Sequence, residues 1–358
     1  MTGPLRTVRV SALGALAGDW DDLAGAGDHP SPFLRSWWLD HAAEGEPAIV
    51  CCLDDDGLLG GAAFEIDRIG PVGPGIERVR CLGQGELAPD HLDVVALPDR
   101  QDEVVDAVLA WIRRRGSRIV DLDGLRADGL LARRLSGHVI ERTAAPWASL
   151  RADDGEPDGA AYLANRPGQV RSTVSRTRKR LQKAGCTVAR VDVDEVDRAL
   201  DDLARLHDGR WGEHSGFLGA WARFRTAAAV GLARGEIWAT EARTDDGTVV
   251  ATEWDLLTPR SVAFYQAGRS LDRDWRGAGS VVRADVVAAA ADTGRVEYDL
   301  LRGEEPYKQD WATGTRELVR VRFGVGPAGR AVAAGAALWR RTAPVLATAR
   351  ERLGRHAD

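Results

Sequence analysis

The chain has 358 residues, long for one hydrophobic core and suited to two domains of ordinary size. Its 44% hydrophobic and 28% charged residues are those of a soluble globular protein, and a net charge of -6 argues against a general nucleic-acid coat. The longest uncharged apolar stretches run to nine residues, against the roughly 20 of a membrane-spanning helix, and no secretory signal is evident, so a cytoplasmic location is expected.

In chain order, Leu5–Val10 reads as a strand and the stretch near Leu13–Leu23 as a helix. Ser31 and Pro32 look like the N-cap and first position of a helix running to about Ala43. Strands Ala48–Leu53 and Leu58–Asp67 flank the turn Asp54-Asp55-Asp56-Gly57. Further strand-like runs lie at Ile76–Leu82 and His91–Leu97. A helix is predicted over about Arg100–Arg115, a strand at Arg118–Leu122, a helix at Leu130–Leu135 and a strand at His138–Thr143. Helical segments at Tyr162–Asn165 and Val170–Lys183 then join the halves.

The second half repeats the order. Cys186–Val193 alternates as a strand, Asp194–Trp211 has helical spacing, and a helix follows from about Leu218 to Arg234. Strands Ile237–Arg243, Thr248–Leu257 and Ser261–Gly268 precede a small-residue helix that opens at Arg276-Gly277-Ala278-Gly279-Ser280. Val296–Leu301 is a strand, Glu305–Trp311 a short helix and Glu317–Gly324 a last strand. The expected division is residues 1–155, 156–325 and an alanine-rich helical tail, 326–358, whose arginines would allow loose docking on an anionic surface.

Three features carry chemistry. First, only Lys179, Lys183 and Lys308 are lysines among 48 basic side chains, and Lys308 stands beside Tyr307 and Trp311 in a stretch rich in acids. A retained ammonium in an arginine-using chain suggests a need for a compact point charge. Second, the glycines at 277 and 279 would let backbone N–H groups at a helix start approach a phosphate or diphosphate. The matching helix of the first half is entered through Leu97-Pro98-Asp99-Arg100, without glycine. Third, the helix 166–183 carries seven cations and no acid, a wall for phosphates or RNA, or simply a solvated face. Cys51, Cys52, Cys81 and Cys186 have neither metal-site nor disulfide spacing, and His207 and His214 lack a third ligand, so no metal is expected.

The doubled order, with a Gly-rich turn only in the second copy, resembles the tandem-GNAT, FemAB-like acyltransferases. Tyr265-Gln266-Ala267-Gly268, the glycine turn and Tyr298–Lys308 resemble more closely the cellulose-biosynthesis-associated GNAT group of CelD/BcsL type. The resemblance implies an α/β fold of two tandem GNAT-like domains, each a mixed, mostly antiparallel sheet flanked by helices. It also implies that Arg276, Gly277, Ala278, Gly279 and Ser280 cradle the diphosphate of acetyl-CoA or another acyl-CoA, although Val281 departs from the family's Gly/Ala. The implied reaction is acyl transfer to an amine of a small molecule, sugar or envelope precursor. Tyr307 would be the acid, with Lys308 beside it, and Asp299, Glu304 or Glu253 would be candidate bases. Tyr265, His207, Arg210 and Trp211 would line the acceptor cleft, with Tyr265 a partner for Glu253. Two alternatives remain open: an aminoacyl-tRNA-dependent transferase, with the 166–183 helix on RNA, and a non-catalytic partner in polysaccharide assembly.

Overall fold

The computed structural model describes residues 4–69, 75–114, 116–212 and 215–336; the side chains of Arg210 and Trp211, together with His214 and the tail beyond 336, lie outside the described residues. The first half comprises β1 (Arg6–Val10), α1 (Ala17–Ala26), α2 (Ser36–Leu39), β2 (Glu46–Leu53), β3 (Leu58–Ile69), β4 (Ile76–Cys81), β5 (Val95–Ala96), α3 (Gln101–Ile112), β6 (Arg118–Arg126), α4 (Leu130–Arg134) and β7 (Val139–Ser149). The second comprises α5 (Gly159–Ala164), α6 (Gly168–Lys183), β8 (Thr187–Arg190), α7 (Val196–Trp211), α8 (Gly216–Gly219), α9 (Trp221–Ala233), β9 (Ile237–Arg243), β10 (Val249–Leu257), β11 (Ser261–Arg269), α10 (Ala278–Asp292), β12 (Glu297–Asp299), α11 (Pro306–Trp311) and β13 (Gly314–Val325).

These strands form one mixed sheet in the order β1-β2-β3-β4-β6-β13-β7-β12-β11-β10-β9-β8, with β5 beside β3. From either edge inward the series is the same. Each half lays down antiparallel strands, then one parallel pair, β4 with β6 and β11 with β12. The last strands then change places: β13 pairs with β6, β7 with β12, and the two lie antiparallel at the centre. The doubled architecture expected from the sequence is present, and the halves are stitched through their last strands.

Tertiary contacts redraw several elements. The helix expected from Ser31 is a 3-10 turn, Pro32–Leu34, followed by the four residues of α2. Ser31 does not cap it, because its hydroxyl donates to the Asp90 carbonyl at 2.8 Å. The strand expected over His91–Leu97 shrinks to β5, since His91 takes a left-handed φ of 57° and Asp93 turns to accept from the first amides of α4.

One core runs from the first half onto the α7 and α9 face of the second, joining Trp20, Phe33, Trp37 and Trp38 to Phe217, Phe224 and Trp254. A second core lies between the sheet and α5, α6 and α10. The alanine and valine run of α10 permits this close layering: a Cβ on Gly159 of α5 would come 2.7 Å from the Ala288 Cα.

Candidate functional site

The wedge between β11 and β12 follows from unequal strand lengths. The two pair only from Ser261 to Ala263 against Glu297 to Asp299, while β11 continues beside β10 to Arg269. Among the described residues, the β12-facing edge of β11 beyond Ala263 therefore has no strand partner. Its backbone N–H and C=O groups can hydrogen-bond an extended ligand as a strand would.

At the end of β11 the chain turns into α10 through Gly277. Its φ is +89°, and a Cβ there would lie 2.8 Å from the Thr177 hydroxyl of α6, so glycine is required twice over. Gly279 has nothing within 4 Å in the direction of an added Cβ, leaving open space at the first helical turn. The Ser280 and Val281 amides donate to the Gly277 carbonyl, so among the described residues the amides of Ala278 and Gly279 are the ones left at that turn without an intrahelical acceptor. Val281 is fully buried in the second-half core. Ala278 is buried, Ser280 is half-buried, and Arg276 is exposed, its carbonyl accepting from Arg180 of α6. Arg171, Arg176, Lys179, Arg180 and Lys183 are exposed on α6, whereas Arg178 is paired with Asp285.

The α10 face of the wedge is filled by a buried network. The Tyr298 hydroxyl donates to Glu253 Oε1 at 2.7 Å, and Arg283 reaches Glu253 Oε2 and the Tyr298 oxygen, both at 3.2 Å. The Arg283 guanidinium lies 4.1 Å from the Phe264 ring centroid, 5.1 Å from Tyr307 and 5.6 Å from Trp311. Burial pushes the Glu253 pKa up, against the pull of Arg283 and the Tyr298 hydrogen bond. Asp255, two residues along the same strand face, is wholly buried with no hydrogen-bond partner among the described residues, and burial followed by the Glu253 charge raises it well above the carboxylate range. The partner expected for Glu253 was Tyr265; the geometry gives Tyr298 instead. A bulge opposite Trp254 and Asp255 leaves Tyr265 facing the aromatic cluster of Phe33, Trp38 and Phe224, where its hydroxyl donates to the Leu87 carbonyl at 2.8 Å.

On that other face the first half supplies the wall. Arg302 donates from its backbone and Nε to Asp90, from Nη1 to Asp123 at 2.9 Å, and from Nη2 to the Pro89 carbonyl at 2.9 Å. Lys308, 4% exposed, donates to the Arg302 carbonyl at 2.5 Å and pairs with Glu305 at 3.0 Å. Asp299 Oδ2 lies 2.8 Å from His91 Nε2. Burial alone would raise the Asp299 pKa, but His91 and the Leu301 amide hold it below the usual range; burial likewise opposes charge on His91, and Asp299 and Asp90 overcome it and raise its pKa. Ala88, His91 and Leu301 all have left-handed φ values, a concentration of backbone strain where the two halves interlock.

Tyr265 and Asp299 thus lie on the two strands that bound the wedge, although their side chains face the first half, while Tyr307, half-buried on α11, has its ring 6.4 Å from that of Phe264 and Lys308 is tied to the loop at Arg302. Glu304 is exposed at the entry to α11. His207 is buried, its Nε2 2.8 Å from the Ser215 hydroxyl and its ring 5.1 Å from Phe217, at the base of the α7 and α8 wall. His91, Arg283 and Arg302 escaped the sequence reading. Their signal is tertiary: an arginine inside an apolar helix was the only local hint, at Arg283 in a helix otherwise of small residues.

Residues 168–309, from α6 into α11, match the family model described as an acetyltransferase (GNAT) domain. The match covers β11, β12 and the start of α10. The whole fold is similar to that of FemX, at 11% identity, with a TM-score of 0.61 over 88% of this chain and 96% of that one. It is similar also to a conserved protein of unknown function from Bacteroides thetaiotaomicron, with a TM-score of 0.62 at 10% identity over 88% of this chain and 99% of the other. The C-terminal domain of a protein described as a lysylphosphatidylglycerol synthetase, from Agrobacterium fabrum, gives 0.55 at 13% identity over 90% and 96%. No curated protein matches the sequence. The findings show a GNAT-like fold, repeated in the two halves, with the match to the acetyltransferase (GNAT) domain confined to residues 168–309.

Proposed function

We propose that the protein is an N-acyltransferase that takes its acyl group from acyl-CoA bound in the second half and delivers it to an amine. The observation carrying this reading is the unpartnered edge of β11 leading to an open helix start at Gly279. An acyl-pantetheine chain has amides spaced for such an edge, and its diphosphate suits the first amides of α10 and the nearby Arg180 and Arg276. In the reaction, the amine nitrogen attacks the thioester carbon, backbone N–H groups of the free edge hold the oxyanion, and the C–S bond breaks. The Tyr307 hydroxyl gives its proton to the departing thiolate, and Asp299 or Glu304 takes the proton lost by the amine. Glu253 acts at one remove, by fixing Tyr298 and Arg283 behind the ring of Tyr307. Tyr265, His207, Arg210 and Trp211 are assigned to the acceptor side.

Calorimetric titration with acetyl-CoA tests the reading, with turnover of a panel of amines by labelled acyl-CoA as its second arm. Binding is expected, and Tyr307→Phe should lower turnover about 100-fold with little change in donor affinity. Failure to bind any acyl-CoA sinks the proposal. The five exposed cations of α6 beside the α10 start favour a second donor, an aminoacyl-tRNA. Activity that disappears with ribonuclease and survives removal of CoA selects that donor; binding of neither leaves a non-catalytic partner in polysaccharide assembly.

A further inference from the structure

Away from the wedge, a cavity of about 370 Å³ lies in the first half between the end of α1, β5 and α4. A smaller chamber of about 60 Å³ shares Asp28, His29 and His91 with it and reaches Arg260, Glu297 and Arg316 of the second half; Ser261, Ala263 and Asp299 also line it, where β11 and β12 pair at the base of the wedge. None of the residues lining the larger chamber belongs to the β11 edge or the α10 start.

The charges facing this space are unevenly committed. Asp93 accepts from the amides of Val94, Leu130 and Leu131, Asp128 is held by Arg126, Glu297 by Arg316, and Asp299 by His91. Among the described residues no carboxylate pairs with Arg133 or Arg260, and only Asp28 is left to oppose them. Among the described residues, Arg126 spends Nε and Nη2 on Asp128 and keeps Nη1; Arg316 spends both terminal nitrogens on Glu297, with Nη1 also 3.9 Å from Asp299, and keeps Nε. The His29 ring, where the chambers meet, reports the balance. The residue is exposed to solvent, and its pKa is lowered first by the partial covering of the ring and then by Arg126 and Arg316, against Glu297 and Asp128. Leu23, Leu34 and Val95 supply an apolar wall, and the volume falls in the roughly 300–1,000 Å³ range of small-ligand sites.

We propose that these chambers form a second ligand site, for a small molecule bearing a phosphate or carboxylate. Its anionic end sits beside His29 between Arg126, Arg260 and Arg316, and its compact apolar part lies against Leu23, Leu34 and Val95. The site is built by both halves, so the first half is a ligand-binding unit and more than a scaffold.

The test follows the His29 resonance by NMR, assigned with a His29→Gln variant. The full chain is titrated with inorganic phosphate and, separately, acetate, against chloride at matched ionic strength. A saturable shift of His29 and a raised titration midpoint are expected with one of the two probes, which also decides between phosphoryl and carboxyl ligands. Arg126→Gln should weaken that binding about tenfold, the loss of one charge-assisted hydrogen bond. If Arg126→Gln proves unstable, Arg260→Gln serves instead, because its exposed guanidinium makes no ion pair among the described residues. A His29 signal indifferent to both anions, or equal affinity in the variants and the natural chain, overturns the proposal. No acyl donor enters this experiment, so its outcome is independent of the transfer reaction.

Discussion

A Cβ on Gly303 would lie 3.0 Å from the Lys308 ammonium, and Gly303 itself holds a φ of +117°. The loop passes so close over Nζ that the broader guanidinium of arginine has no room, which accounts for a lysine in a chain that otherwise uses arginine. Lys308→Ala should cost about 1–3 kcal/mol, because the Arg302 carbonyl loses its buried donor, and Lys308→Arg should not restore it. Urea denaturation of the two variants measures both. Nearby, the His91–Asp299 contact makes stability depend on pH. His91 binds its proton more tightly when folded, so its contribution is full below its ordinary value of 6.5 and lost as pH rises through the raised one. Asp299 contributes fully above its ordinary 3.8, and that part is lost as pH falls through its lowered value. Between the two the pair is stabilising. His91→Asn, which tolerates the left-handed backbone, should therefore flatten the decline in urea midpoint as pH rises above His91's ordinary 6.5. An unchanged slope would show that the contact contributes nothing.

The start of α10 contains two glycines with opposite requirements, and they separate folding from binding. Gly277 is left-handed and packed on Thr177, so Gly277→Ala should destabilise the protein by about 1–2 kcal/mol, read from the thermal midpoint. Gly279 faces open space, so Gly279→Trp should leave that midpoint within a degree or two. It should nevertheless weaken acyl-CoA binding at least tenfold, since the indole occupies the approach to the helix amides. Equal donor affinity in Gly279→Trp and the natural chain would count against the cradle. The short β12 is the other half of the device: three residues of pairing are enough to anchor the wedge, and any longer pairing would close it.

Across the whole molecule, the exchange of last strands makes the halves interdependent. A fragment of residues 156–336 would retain β12 without β7 and β13 without β6 and β7. It would also expose the second-half surface of the core shared with Trp37 and Trp38. That fragment alone is expected to give no cooperative thermal transition, and co-expression with residues 1–155 should restore one. Cooperative unfolding of the isolated fragment would show that the exchanged strands are dispensable. The Arg302 contacts to Asp90 and Asp123, and the Arg35 pair with Glu236 at 2.6 Å, reinforce the same interface on both flanks.

Hydrophobic periodicity was enough to read the order of elements in each half and hence the repeat, because amphipathic spacing is a property of neighbours along the chain. The turn at Gly277 was legible for the same reason: a helix start and its glycines are local. Periodicity also placed Glu297 and Asp299 on one strand face and, by the same alternation, Tyr298 on the other. It could not say that Glu253 would meet Tyr298 rather than Tyr265, since a single bulge in β10 and β11 decides that. Nor could it place His91 beside Asp299 or Arg302 against Asp90, contacts between residues some two hundred positions apart. Those pairings, the exchange of β7 and β13, and the smaller chamber at His29 exist only where the two halves are packed together, because their energies depend on burial and on charges brought close by the fold.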